Sequence, residues 1–140
     1  MCSKLSFYFN KNDPQFKSTE IVAQASPYIG HWFITTPIYD NNDNVIGYKA
    51  TDDYIQEVGT GKYLVRYLNT YFINGKGTIS WQYATVNDQP NPYYPLGVTA
   101  KARITSATGD YVNANGCVKL TPKTDGRRDV LYSEVPSQFE

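Results

Sequence analysis

The sequence predicts an all-β domain, an antiparallel up-and-down barrel closed from eight strands. Three observations predict it. Short runs of alternating apolar and polar residues, rich in β-branched and aromatic side chains, recur along the chain. A period of two marks a half-buried strand. The runs are separated by clusters of Gly, Asn, Asp and Pro, which favour turns. No stretch of useful length carries a 3.6-residue apolar period bounded by caps. A two-sheet sandwich is the alternative packing. A long meander left open has unpaired edges, and closure removes them.

The elements follow in order. Residues 5–9 alternate and open the series, and the polar loop 10–18 carries Pro14. Residues 19–25 form the second run, and 31–39 the third, after a break at 27–30. Asp40-Asn41-Asn42-Asp43-Asn44 is a turn, because Asn and Asp bond their own backbone and tolerate left-handed conformations. Residues 45–57 make a long strand, turned by Gly59-Thr60-Gly61. Residues 62–73 and 77–86 pair through a tight Asn74-Gly75 turn. Residues 87–95 hold three prolines and cannot be a central strand. Runs at 98–105, 111–121 and 127–135 complete the series.

Composition bounds the rest. The 140 residues fit one domain, 1–140, with its core at about 4–135. Thirteen basic residues balance thirteen acidic ones, which leaves no cationic excess for nucleic acid. No apolar run approaches the roughly 20 residues of a membrane helix. The sequence therefore points to neither nucleic-acid nor membrane partners. Residues 1–10 lack the apolar stretch of a secretory signal, so a cytoplasmic location is the expectation. Cys117 lies in an alternating run and is expected as a small buried hydrophobe, and Cys2 is too close to the terminus to anchor a bridge. Thirteen tyrosines are the unusual feature. Most fall within the strand runs, where they can wall a barrel. Tyr93 and Tyr94 lie in the proline-rich loop and could lid its mouth.

Four pieces carry a family resemblance. They are Leu5-Ser6-Phe7-Tyr8-Phe9 followed by Val22-Ala23-Gln24-Ala25; Ile38-Tyr39-Asp40, a turn, and Val45-Ile46-Gly47; Asn69 to Gly77 leading into Thr78-Ile79-Ser80; and Ala102-Arg103-Ile104-Thr105-Ser106-Ala107-Thr108-Gly109-Asp110-Tyr111-Val112-Asn113-Ala114-Asn115-Gly116. In this order they resemble the allene oxide cyclase-like barrel superfamily, which includes dirigent proteins, plant allene oxide cyclases and bacterial spirotetronate cyclases. The resemblance implies a calycin-like barrel of the allene oxide cyclase/dirigent type. It also implies cofactor-independent chemistry on an apolar molecule, and a homodimer or homotrimer. The family's functional residues do not carry over. The allene oxide cyclase glutamate and asparagine fall at Phe9 and Lys11, and its cysteine at Asp53. The dirigent aspartate falls at Asn10-Lys11, its arginine near Tyr48, its tyrosine at Asp53, and its arginine pair at Asn113 and Asn115. Neither activity is implied for this chain. Gly109 and Gly116 read independently as turn or bulge glycines at a barrel corner.

Asp53 stands out as the candidate acid or base. Neighbouring strand residues face opposite ways, so one of Asp52 and Asp53 points inward. The family matching favours Asp53; a wet strand end that solvates both is the other reading. A lumenal carboxyl poorly reached by water has a raised pKa, which suits proton transfer. Arg66, mid-run in the next strand, is its expected orienter, either lumenal or snorkelling from the outer face. Tyr8, Trp32, Tyr48, Tyr71 and Trp81 are the expected substrate-binding walls. His31 reads as a structural or surface residue. One histidine and two distant cysteines give no metal-site spacing, and no cofactor motif is present.

Two functions fit. One is a cofactor-independent cyclase or isomerase acting by confinement on a small, largely apolar substrate. The other is a non-catalytic barrel that binds a hydrophobic ligand or assembles into a structural oligomer. A lumen of about 300 Å³ or more would favour the first. A filled lumen with no cavity would end both the cyclase and the carrier readings, leaving assembly.

Overall fold

A computed structural model describes residues 2–23, 28–90 and 94–136. Nine strands run through them: β1 (Cys2–Asn10), β2 (Lys17–Ala23), β3 (Tyr28–Tyr39), β4 (Val45–Gly59), β5 (Lys62–Ile73), β6 (Gly77–Asn87), β7 (Ala100–Ala107), β8 (Cys117–Pro122) and β9 (Arg127–Pro136). From β3 to β9 each strand pairs antiparallel with the next, and β9 returns to pair with β1. The Tyr8–Tyr39 pairing of β1 with β3 closes the ring at eight strands. The extra strand, β2, lies along β3 from Thr35 to Gly30. The all-β barrel expectation holds, and the sandwich is set aside by this closure.

Alternation decides what fills the barrel. Odd positions of β4 and β5 point inward, including Lys49, Thr51, Asp53 and Ile55, and Val65, Tyr67, Asn69 and Tyr71. Phe7 and Phe9, Ile34 and Ile38, Ile79 and Trp81, Val118 and Leu120, and Val130 and Tyr132 are buried with them. The core is therefore the lumen itself, and tyrosine supplies much of its volume.

Several expectations are corrected. The run at 111–121 is not one strand: a 3-10 turn occupies Gly109–Tyr111, and β8 begins only at Cys117. Gly109 sits at φ +65°, and a Cβ there would lie 2.2 Å from the Lys76 carbonyl oxygen. Gly116 serves by close approach, since its Cβ would lie 2.0 Å from the Ser133 oxygen. Cys117 is exposed, because Val118 and Leu120 take the inward positions of β8. Residues 28–30, placed in a break by sequence, belong to β3, whereas Pro27 and the expected strand end at 24–25 lie outside the described residues.

One part of the wall differs from the rest. The β4–β5 ladder runs from Gly47–Ile73 to Gly59–Lys62. The β6–β7 ladder holds only Ile79–Ala107, Ser80–Ser106 and Trp81–Ile104. Past Trp81 the two strands part. Tyr94, from the connection between them, packs against inner-face residues there and is 6% exposed.

Candidate active site in the lumen

The site grows from three consecutive cross-strand pairs of β4 and β5: Lys49 opposite Tyr71, Thr51 opposite Asn69, and Asp53 opposite Tyr67. Side chains directly opposite on one face are neighbours. The Thr51 hydroxyl donates to Asn69 Oδ1 at 3.0 Å. The Tyr94 hydroxyl donates to the same oxygen at 3.2 Å. The Tyr94 ring stacks on Tyr67, with centroids 4.3 Å apart and planes 13° from parallel. Trp81 lies on the other side of Asn69 in the ladder, and its ring centroid is 6.3 Å from that of Tyr94. Tyr71 packs on Phe7 at 4.9 Å.

Asp53 is 1% exposed, and neither of its oxygens has a hydrogen-bond partner. Burial holds its carboxyl well above the usual carboxylate range, and the Lys49 charge opposes that shift only in part. Lys49 is 2% exposed, with Nζ 4.7 Å from the centroid of the Phe9 ring. Burial holds its amine below the usual ammonium range; Asp53 pulls it up and Arg128 pushes it down. Arg128, from β9, is buried and donates Nη1 to the carbonyls of Lys123 and Arg127. Burial also drives the Tyr71, Tyr94 and Tyr132 hydroxyls well above their ordinary value, so all three stay protonated donors.

The polar inventory does not balance. Asn69 Nδ2 and Tyr71 Oη are buried without partners, as is each Asp53 oxygen. Trp81 Nε1 and Tyr132 Oη approach one another without reaching hydrogen-bond geometry. Each orphaned group costs about 1–3 kcal/mol, and buried polar atoms in folded proteins are mostly satisfied. Such a cluster is poor design for a core and good design for a polar recognition surface.

Of the two states of the lumen that the sequence leaves open, the filled one holds. The cavity beside Lys49, Asp53 and Arg128 measures about 10 Å³, because Tyr94 and the aromatic walls fill the interior. A larger hollow of about 520 Å³ lies along Tyr54, Arg66, Leu68 and Gln82, toward the outer face.

Of the residues singled out by sequence, Asp53, Tyr71 and Trp81 meet in the lumen, and half-buried Trp32 stands opposite Asp53 in the ladder. Three do not. Arg66 pairs with Tyr54 in register and faces outward, its guanidinium 5.9 Å from the Tyr54 ring centroid. It cannot orient Asp53; the cation that acts on that carboxyl from the inner face is Lys49, without bonding it. Tyr48 is 52% exposed, on the outward parity of β4. Tyr8 lies between the inward Phe7 and Phe9, so it faces out. Its hydroxyl donates to Asp43 Oδ1 at 2.5 Å, and the Arg127 guanidinium lies 3.9 Å from its ring centroid. His31 bonds Asp52 at 2.8 Å on the outer face. Lys49, Asn69 and Arg128 were missed by sequence reading, and Tyr67 and Tyr132 were read only among the tyrosines that wall the barrel. Tyr94, expected as a lid, is inside, and Tyr93 lies outside the described residues. Among the described residues no group of three His, Cys, Asp or Glu is placed to hold a metal ion.

The fold is a closed eight-stranded antiparallel barrel with one added strand and an aromatic lumen. Comparison with solved structures supports this. A pyocyanin demethylase superposes with a TM-score of 0.64 at 12% identity, covering 93% of this chain and 98% of its own. A pterocarpan synthase dirigent protein superposes with a TM-score of 0.59 at 14% identity, covering 97% and 92%. At such identities the likeness is one of fold. No family model matches the sequence, and no curated protein does.

Proposed function

We propose that the protein is a cofactor-independent cyclase or isomerase that acts on a small, largely apolar molecule held in the lumen. The observation that carries this reading is Asp53: a buried carboxyl on the lumen wall with both oxygens unpaired. Its raised pKa leaves it protonated near neutral pH, a general acid whose conjugate base can retrieve the proton. Tyr71, Trp81 and Trp32 are the walls. The two structural neighbours are named for chemistry on small compounds, which supports the reading by analogy of fold alone.

Tyr94 occupies the space a substrate needs. It comes from a loop rather than a barrel strand, at the place where β6 and β7 part. The lumen as it stands is filled and admits no ligand, so this reading depends on withdrawal of Tyr94. A vacated slot of roughly 150 Å³ accepts a benzene-sized ring. The test is turnover of polyene, polyketide or oxylipin precursors followed by mass spectrometry, with wild type beside Asp53→Asn. Turnover that survives Asp53→Asn unchanged would remove Asp53 from the mechanism.

A second reading, assembly, is the one a filled lumen leaves, and it rests on the outer face. Phe33, Tyr48, Leu68 and Phe72 are exposed across β3, β4 and β5. They suit a homodimer or homotrimer in which the barrel is a structural unit. Native mass spectrometry separates the two: an oligomer with no turnover and no bound compound favours assembly.

A further inference from the structure

We propose that Lys49 is a Schiff-base-forming residue, whose amine condenses with the carbonyl group of a small apolar aldehyde or ketone admitted to the lumen. The inference goes beyond the cyclisation reading and shares with it the lumen, the Asp53 carboxyl and the withdrawal of Tyr94.

Lys49 is a lysine where a barrel has little structural use for one. It points inward from β4, is 2% exposed, and rests its Nζ 4.7 Å from the centre of the Phe9 ring. A structural lysine in such a place pairs with a carboxylate. Among the described residues the one carboxyl lining the same cavity, Asp53, has no hydrogen-bond partner, and the two do not close to the ~4 Å of an ion pair. The amine is thus held near an acid but not consumed by it. The groups facing it are Asp53 on its own strand, Tyr71 from β5, Arg128 from β9, Lys11 at the cavity wall, and the neutral Thr36 from β3. An apolar wall and a neighbouring cation are the two conditions that free a lysine amine to act as a nucleophile near neutral pH. Both act here in the same sense on Lys49.

The chemistry balances without a co-reactant. The amine lone pair forms the C–N bond as the carbonyl π pair moves to oxygen, and an amine proton follows to that oxygen. The Asp53 carboxyl then protonates the hydroxyl, water leaves as the C–O bond breaks, and the nitrogen pair closes the C=N bond. The remaining N–H proton returns to the Asp53 carboxylate. Water is the sole by-product, and no oxidant or reductant is needed.

Benzaldehyde with sodium cyanoborohydride, followed by peptide mass mapping of the full chain, tests this. The aldehyde cannot cyclise, so the result is independent of the proposed turnover. At neutral pH Lys49 should become benzylated at least about tenfold faster than exposed Lys62 and Lys101. Its rate should reach a plateau at a lower pH than theirs. Lys49→Met should remove the fast site, and Asp53→Asn should lower the plateau. Tyr94→Ala opens the lumen and should accelerate the reaction. A fast Lys49 seen only in that variant still supports the proposal, with Tyr94 as the barrier. A folded Tyr94→Ala protein whose Lys49 reacts no faster than Lys62 overturns it.

Discussion

Asp53 and Lys49 lie two inward positions apart on one strand, and their protonation sets opposite limbs of a stability curve. The unfolded Asp53 carboxyl ionises near 3.8, while burial keeps the folded one protonated to higher pH. The folded state then binds the extra proton, so stability falls as pH rises through that window. Lys49 runs the other way. Its folded amine loses its proton below the ordinary 10.5, so its contribution is present above that value and is lost as pH falls through the folded one. The expected result is a trough in melting temperature between pH 4 and 10. Asp53→Asn should flatten the acid side and Lys49→Met the alkaline side. A monotonic profile in wild type would contradict the assignment. For turnover, Asp53→Asn should cost about 10²–10⁴-fold in kcat. Arg66→Ala, on the outer face, should leave kcat within about twofold. Asp53 was legible in sequence because it sits mid-run beside a second aspartate. Once Asp53 is placed inward, parity alone sends Lys49 inward and Tyr48 outward. For Arg66 the sequence left a lumenal and an outward reading open, and the outward one holds; both faces of β5 carry apolar residues, so its own alternation does not choose between them.

At the scale of elements, the turns decided what sequence could see. Asn74-Gly75 and the Asp40–Asn44 cluster mark their hairpins by residue type, and β5 and the start of β4 fall where alternation places them. The segment 109–116 misled because Tyr111 is apolar and buried without being in a strand. Its position depends on backbone contacts with the turn before β6 and the start of that strand: the Asp110 N–H donates to the Lys76 carbonyl at 2.7 Å, and the Thr108 N–H to that of Thr78 at 2.9 Å. Gly109→Ala should therefore do double harm, placing a Cβ at a left-handed φ and against the Lys76 oxygen. A loss of about 2–4 kcal/mol in a urea titration is expected. An unchanged midpoint would mean that the corner relaxes freely. The same reasoning bears on the site. The β6–β7 ladder is short, so its amides should lose hydrogen-exchange protection before those of β4 and β5.

For the molecule as a whole, Tyr94 links stability to binding. Truncation to Ala should cost about 3–5 kcal/mol, the range for a buried aromatic. It also removes the group that fills the lumen. A Tyr94→Ala protein should therefore regain stability on adding p-cresol, the side chain it lost, whereas wild type should not. Differential scanning fluorimetry reads both. A variant that p-cresol does not stabilise would mean that the interior collapses on itself. The barrel as a whole was legible because nearly every strand obeys one period. The filled lumen was not, because which loop residue enters a barrel is a tertiary choice.

The way the ring is closed has a consequence for how the chain is made. The wall between β1 and β9 joins Asn10 to Arg127 and Ser3 to Val135, partners more than a hundred residues apart in the sequence. The hairpins from β3 to β6 can form as they leave the ribosome, but β1 must wait with its edge unpaired until β9 arrives. Stalled nascent chains ending before Arg127 should be cut readily by protease within β1, and chains extended past Pro136 should resist. Equal resistance at both lengths would show that the first strand finds a stand-in partner during synthesis.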